Sequence, residues 1–210
     1  MPPAPPPEPV PPAERPTWAG TTLDVRRAGR RRALLDAALR LAGGAGCPAV
    51  TVRSVCRTVK LTDRYFYESF ASRDELLLAL YDEVACEALA ALRAAAPDAR
   101  AAVEGFLAVL ADDPHKGRVL LLEPMTDPVL GRRGAELMPV FADLVGAHLG
   151  VDPGAPDTRL TATALIGALA NLFARWLDGS LPVDRTRLTA YCVRLVNAAP
   201  GLARPAGDGP

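Results

Sequence analysis

The sequence contains few of the residues that build metal sites, disulfides or nucleophilic centres. It has two histidines and four cysteines in 210 residues. The cysteines are 9, 30 and 106 residues apart and form no C-x-x-C pair, so neither a disulfide framework nor a zinc site is encoded. The H-E-x-x-H and G-x-S-x-G motifs of metalloproteases and serine hydrolases are absent. We therefore expect no metal, no cofactor and no enzymatic activity.

Long hydrophobic runs are also missing. The most apolar stretch, residues 162–174, contains Asn171 and is shorter than the ~20 residues that a bilayer requires, so no membrane-spanning segment is expected. Nine prolines among the first sixteen residues occupy the place where a secretory signal would need an apolar helix. We therefore expect a cytoplasmic protein.

Residues 24 to about 197 show a helical pattern, because apolar side chains recur at intervals of three and four and no alternation of period two is sustained. The chain is predicted to be all-α. Residues 1–22 are rich in proline and are expected to form a disordered tail, with a P-x-x-P ligand as the less favoured alternative. Residues 23–71 contain three helices, residues 72–199 a helical bundle, and residues 200–210 a flexible tail.

The charges are unevenly distributed although the chain has 24 basic and 24 acidic residues. Between residues 22 and 73 there are eleven basic and four acidic side chains, a net charge of +7, which leaves −7 for the remainder. This polarity indicates a polyanionic partner at one end of the protein. For the run Arg30-Arg31-Arg32 taken alone, a solvated helix face is an equally good explanation.

The basic segment holds two short helices joined by a three-residue turn. Thr51 is a suitable N-cap for a helix with an apolar face formed by Val52, Val55, Cys56 and Val59. Thr62 can cap the next helix, residues 63–69, in which Phe66 and Phe70 share one face. Ser72 and Glu75 then form a capping box that opens a long helix. A support helix followed by a recognition helix with long polar and aromatic side chains is suited to the DNA major groove.

Residues 34–83, from LLDAALRLAGG to ELLLALYDE, resemble the TetR family of one-component transcriptional regulators. The family motif falls without a gap on Leu35-Asp36-Ala37-Ala38, Gly46, Thr51-Val52, Leu61-Thr62, Tyr67, Phe70 and Ser72-Arg73. The resemblance implies a homodimeric, ligand-responsive repressor that binds a palindromic double-stranded DNA operator. It also implies that residues 23–71 bind DNA, and that residues 72–199 bind an effector and dimerise through the last two helices.

Four residues depart from the family pattern, among them Ala42 and Cys47, which stand where the family usually has aromatic residues. Lys60 occupies a turn position where glycine is usual, and a left-handed backbone there costs a non-glycine residue roughly 1 kcal/mol, so we expect the turn to differ in detail. Ser69 replaces a histidine that often precedes the phenylalanine, which removes one expected phosphate contact.

Ten residues are candidates for contact with DNA: Arg30, Arg31, Arg32, Arg53, Thr62, Asp63, Arg64, Tyr65, Tyr67 and Arg73. Arg64 is expected to bond a guanine edge and Tyr65 to contact a thymine methyl group. By the resemblance, Tyr67 and Arg73 contact phosphates, and Thr62 offers a hydroxyl or N–H. Asp63 accepts a hydrogen bond from cytosine or only stabilises the helix dipole. Residues 26–32 follow the DNA backbone or insert an arm into the minor groove.

The resemblance places an effector pocket in the C-terminal bundle, where an unidentified small apolar or aromatic molecule would bind. Eight residues are candidates for its lining, although each also suits a plain core: Phe106, Leu110, Leu122, Met125, Met138, Phe141, Asn171 and Trp176. The alternative function is a helical-bundle adaptor that uses its basic end for another acidic partner without DNA sequence specificity.

Overall fold

The computed structural model describes residues 23–147, 149, 152 and 154–203. Within these ranges the chain is helical and contains no strand, which confirms the predicted all-α class. The helices are α1 (Leu23–Ala45), α2 (Val52–Val59), α3 (Asp63–Tyr67), α4 (Arg73–Ala94), α5 (Ala99–Ala111), α6 (Pro114–Gly117), α7 (Pro128–Ala147), α8 (Pro156–Leu177) and α9 (Arg185–Ala198). The predicted tail at 1–22 and residues 204–210 of the predicted tail at 200–210 lie outside the described residues. The start of the second tail is ordered, because Ala199–Gly201 form a short 3-10 helix and Ala203 is buried.

Helices α2, α3 and α4 begin where the sequence predicts, but only two of the three threonine and serine caps form. The Thr51 hydroxyl accepts from the Ser54 N–H at 3.0 Å, and the Ser54 hydroxyl accepts from the Thr51 N–H at 2.9 Å. Ser72 likewise accepts from the Glu75 N–H at 3.1 Å. Thr62 occupies the N-cap position of α3, but its side chain makes no capping hydrogen bond, so the prediction that it caps this helix is wrong.

The turn between α2 and α3 keeps a left-handed residue despite the lysine. Lys60 has φ 55° and ψ 39°, and no other non-glycine residue in the described part of the chain has a positive φ. The Leu61 N–H closes the helix end by donating to the Cys56 carbonyl at 3.0 Å. The expectation that the turn changes shape is therefore wrong, because the hydrogen bonds of the turn hold Lys60 in an unfavourable conformation.

Replacing Lys60 by glycine is expected to raise the free energy of unfolding by about 1 kcal/mol, because glycine adopts the left-handed conformation without steric cost. Chemical denaturation of the full chain measures this difference. Lys60→Ala is the matched control, since it removes the same charge but keeps the Cβ atom. A glycine variant no more stable than the alanine variant would contradict the explanation.

The N-terminal helices share a core with the start of α4. Phe66 is fully buried, and its ring centroid lies 6.0 Å from that of Phe70, as the shared helix face predicts. Leu34 and Ala38 of α1 and Val55 of α2 are buried in the same cluster. The recognition helix α3 is therefore held from one side only, and its other side faces solvent.

The C-terminal bundle is built from α4, α5, α7, α8 and α9. Helix α7 runs unbroken through Pro139 and forms a single element. The rings of Phe106, Phe141 and Phe173 meet between α5, α7 and α8, with centroids 5.3 to 6.4 Å apart. These contacts place the core of the bundle between the helices that the sequence marks as apolar.

Helix α8 extends the apolar stretch 162–174 at both ends, from Pro156 to Leu177. It has 22 residues, and its most apolar window has a mean hydropathy of 1.4, which by length and composition alone is enough to cross a membrane. A third of the window is buried within the protein. An exposed face remains that contains Ala164, Gly167 and Ala168.

Candidate DNA interface and effector cavity

Helix α3 presents three long side chains to solvent. The Arg64 side chain is 84% exposed, and Tyr67 and Tyr65 are 59% and 39% exposed, whereas Phe66 between them is completely buried. The Tyr67 ring meets the edge of the Phe66 ring with centroids 5.4 Å apart. The outward face of α3 is therefore polar and aromatic, and its orientation is fixed by the buried phenylalanine.

A small polar network supports the Arg64 side chain. Its Nε donates to Glu68 Oε1 at 3.1 Å, and the other Glu68 oxygen lies 3.6 Å from an Arg30 terminal nitrogen. The Arg30 guanidinium also stacks 4.9 Å from the centroid of the Tyr65 ring. No residue in the described ranges accepts from the terminal nitrogens of Arg64, so both remain available for bidentate bonding to an acceptor pair.

Arg31 and Arg32 bind other parts of the protein. Arg31 donates to the Ser69 carbonyl at 2.8 Å, and its guanidinium lies 4.1 Å from the centroid of the Phe70 ring. Arg32 pairs with Asp36 at 2.7 Å and with Glu83. All three arginines of the run lie inside α1, so the idea that they form an extended minor-groove arm does not fit the structure.

Arg73 is also directed into the protein. Its Nε donates to the Val50 carbonyl at 2.7 Å, and one terminal nitrogen donates to the Cys47 carbonyl at 2.8 Å. The guanidinium also pairs with Asp74 at 3.1 Å and Asp127 at 3.5 Å. A phosphate could not use these donors without displacing existing bonds, so the structure favours a role for Arg73 in anchoring the loop before α2.

The remaining DNA candidates lie at the surface around α2 and the start of α3. Arg53 and Thr62 are exposed, and so are Arg57 and Lys60, which the sequence analysis did not select. None of the three basic side chains has a hydrogen bond or ion pair within the described residues. Asp63 lies near Cys56, and its carboxylate adds to the effect of burial in raising the pKa of that thiol.

A cavity of about 430 Å³ opens between α4, α5, α7, α8 and the segment 120–125. Five of the eight residues proposed for the pocket line it: Phe106, Met125, Met138, Phe141 and Asn171. Leu110, Leu122 and Trp176 do not. Leu110 is fully buried in the core, and the Trp176 indole N–H donates to the Val183 carbonyl at 2.9 Å, which anchors the connection between α8 and α9.

The described residues that line the cavity include no charged side chain, and the polar side chains among them are Tyr81 and Asn171. Tyr81 is 5% exposed, and burial raises the pKa of its hydroxyl to about 12. A Cβ atom at Gly134 would lie 2.9 Å from this hydroxyl oxygen, so α7 needs a glycine there. Tyr81 was not predicted from the sequence as a cavity residue. Its position between Leu80 and Val84, on the apolar stripe of α4, could have indicated that it faces the bundle.

Two buried carboxylates join the cavity wall to the N-terminal helices. Glu123 is 3% exposed; one carboxylate oxygen accepts from the Cys47 N–H at 2.6 Å and the other from the Arg118 Nε at 2.8 Å. Asp127 accepts from the Val129 and Leu130 N–H groups and lies beside Arg73. The segment 118–127 therefore contacts both the cavity and the loop before α2. Neither carboxylate was predicted from the sequence to connect these elements, because their hydrogen-bond and ion-pair partners are brought together only by the tertiary fold.

Comparison with known proteins agrees with this arrangement. Residues 34–80 match the family described as bacterial regulatory proteins, tetR family. A segment of 71 residues is 39% identical to the HTH-type transcriptional regulator BetI of Rhizobium meliloti (strain 1021), and the match covers 32% of this chain and 35% of BetI. The chain therefore spans about a third of the length of that relative.

Solved structures share the fold over most of the chain. A TetR-like transcriptional regulator from Rhodococcus sp. RHA1 aligns with a TM-score of 0.63 and 23% identity over 84% of this chain and 97% of that one. The multidrug binding protein EbrR, solved with imidazole, aligns with a TM-score of 0.62 and 22% identity over 86% and 98%. Residues 34–80 therefore match the tetR family of bacterial regulatory proteins, and the described chain shares the fold of TetR-like regulators.

Proposed function

We propose that the protein is a cytoplasmic homodimeric repressor that binds a palindromic operator and releases it when a small apolar effector binds. Residues 23–71 form the DNA-binding domain, and residues 72–199 form the effector-binding and dimerisation domain. The observation that carries the proposal is the outward face of α3, where Arg64, Tyr65 and Tyr67 are exposed above a buried Phe66.

The charge distribution supports DNA as the partner of this face. The segment 22–73 has a net charge of +7, and Arg53, Arg57 and Lys60 are exposed cations near the start of α3. Such free cations favour phosphate contacts, which position a protein on DNA without reading its sequence. Arg64 can add sequence information, because its two free terminal nitrogens match the acceptor pair of guanine in the major groove.

Replacing Arg64 by alanine is expected to weaken operator binding by about 1 to 3 kcal/mol and to relax one base position, since a bidentate base contact is lost. Fluorescence anisotropy with an operator from a random-sequence selection measures both effects. Arg100→Ala is the matched control, because Arg100 is also exposed and also pairs with a glutamate four residues later, but lies in α5.

Equal affinity of the wild-type protein for every DNA sequence would contradict specific recognition and would favour the adaptor function instead. Unchanged binding by Arg64→Ala, with specificity intact, would remove Arg64 from the base-reading role. Arg73→Ala has a different expected signature, because loss of its bonds to Val50 and Cys47 lowers stability as well as DNA affinity.

The exposed face of α8 supports dimerisation through the last two helices. Ala164, Gly167 and Ala168 are exposed on it, and Leu160 nearby is 68% exposed. A Cβ atom added at Gly167 would meet no described residue within 4 Å, so none of the described residues covers this side of the helix. Small residues allow a second copy to approach closely, and the opposite face of α8 packs on the chain's own core.

Helix α4 and the segment 118–127 support a ligand-controlled change in DNA affinity. Helix α4 begins beside the recognition helix and carries Tyr81 and Leu92 into the cavity wall. The segment 118–127 lines the same cavity and binds the loop before α2 through Glu123. A ligand that binds one position of these elements more tightly changes the separation of the two recognition helices in the dimer.

A further inference from the structure

The effector cavity combines an uncharged wall with one phenolic hydroxyl. Tyr81 lines the cavity and its side chain is almost completely buried, yet nothing among the described residues accepts from or donates to its hydroxyl. The hydroxyl oxygen is not one of the sealed-off polar atoms that lack a partner, so it opens into the cavity. A molecule in the cavity can therefore form the hydrogen bond that the protein leaves unmade.

The uncharged wall discriminates against ions. Among the described residues, neither an acidic nor a basic side chain lines the cavity, so a carboxylate or an ammonium group would lose its hydration without gaining a counter-charge. Asp82 and Arg133 act electrostatically on Tyr81, but they bind each other at 2.6 Å and do not line the cavity. Arg133 also bonds Glu136 at 2.9 Å, so it is not free to receive an anion.

The Tyr81 hydroxyl is placed to donate a hydrogen bond. Burial raises its pKa to about 12, so the hydroxyl keeps its proton at neutral pH. Gly134 leaves room beside the oxygen, where any larger residue would press on it. Asn171, the other polar group of the lining, is exposed on α8, so water can satisfy its amide without a ligand.

We propose that the effector is an uncharged, largely apolar molecule with a carbonyl-type oxygen that accepts a hydrogen bond from Tyr81. This inference rests on the effector cavity of the proposed function and specifies the chemical class of its occupant. The apolar remainder of the molecule packs against Phe106, Phe141 and Phe173. Since Tyr81 belongs to α4, the hydrogen bond also connects the ligand to the helix that leads to the DNA-binding domain.

Four probes that share a ten-carbon chain test the class: methyl octyl ketone, decane, decanoate and decyltrimethylammonium. Their affinities for the full-length protein are measured by displacement of a fluorescent apolar dye. The ketone is expected to bind about 2- to 12-fold more tightly than decane, the range of one net hydrogen bond. Both ions are expected to bind at least about 10-fold more weakly than the ketone, because their charge is desolvated without a partner.

Tyr81→Phe is expected to abolish the preference for the ketone over decane while leaving decane binding unchanged. The variant should fold about as stably as the wild type, because the deleted hydroxyl makes no hydrogen bond within the described residues, and its denaturation midpoint verifies this. Tyr191→Phe is the matched control, because it removes a hydroxyl from an exposed tyrosine on α9 that does not line the cavity.

Any one of four results would overturn the inference. These are equal affinity for ketone and decane, a ketone preference that is unchanged in Tyr81→Phe, tighter binding of either ion than of the ketone, and no binding of any probe. Operator release is measured separately with the wild-type protein and the ketone. Ketone binding with the Tyr81-dependent preference but without DNA release would support the ligand class and contradict ligand-responsive repression. DNA release by one of the ions but not by the ketone would support ligand-responsive repression and contradict the proposed ligand class.

Discussion

Replacing Gly167 by arginine is expected to convert the protein into a monomer and to lower its operator affinity by about 10²- to 10⁴-fold, the usual advantage of binding two linked half-sites. A Cβ atom at this position meets no described residue within 4 Å, so the arginine fits the folded monomer. In the proposed dimer the same position faces a second copy across a stripe of small residues. An arginine there is sterically excluded and loses its hydration without a partner.

Light scattering measures the assembly of Gly167→Arg, and anisotropy with a palindromic operator measures its affinity. Gly167→Ala is the matched control, because it keeps a small side chain at the same helix position and should remain dimeric. A denaturation midpoint near that of the control shows that the arginine variant is folded. A wild-type protein that is monomeric at micromolar concentration, or an arginine variant that stays dimeric, would contradict the proposed interface.

Replacing Glu123 by alanine is expected to lower the free energy of unfolding by about 1 to 3 kcal/mol, the cost of leaving a buried hydrogen-bond donor without its acceptor. The Arg118 side chain is 41% exposed, so water screens the loss of its counter-charge. The carboxylate is 3% exposed and accepts from Cys47 and Arg118 at once. Its loss leaves the buried Cys47 N–H without an acceptor and the Arg118 guanidinium without its counter-charge. The loop before α2 then loses its bond to the cavity wall.

Glu104→Ala is the matched control for this prediction. Glu104 also pairs with an arginine, but both side chains are more than half exposed, so its loss should cost about 0.2 to 1 kcal/mol at most. Chemical denaturation of both variants gives the comparison. Equal stability losses would show that the buried pair contributes no more than a surface pair, and the role assigned to the segment 118–127 would have to be abandoned.

The sequence by itself was sufficient for features that depend on neighbouring residues. The caps at Thr51 and Ser72, the Phe66 and Phe70 pair and the start of α3 were predicted correctly, because each involves side chains within four positions of one another. Helical periodicity predicted the all-α class for the same reason. The failure at Thr62 was local too, since a residue can occupy a cap position without its side chain bonding the helix.

Lys60 shows the limit of a local argument. A lysine is unfavourable in a left-handed turn, and the sequence therefore predicted a turn that differs in detail from that of the family. The structure instead keeps the turn and the strained lysine, because the packing of α2 and α3 on the shared core fixes the geometry. The conformational free energy that one left-handed lysine costs is small compared with the free energy of the packing contacts that a different turn would disrupt.

The partners of the charged and polar side chains were decided only by the tertiary structure. Arg31 and Arg73 were candidates for DNA, but the fold brings them to the Ser69 carbonyl and to the loop before α2, 38 and 23 to 26 residues away in sequence. Glu123 meets Cys47 across 76 residues. Tyr81 became a ligand-binding candidate only when Gly134 and the cavity were seen around it. Residue type determines what a side chain can bond, whereas the packing of distant helices determines which of those bonds form.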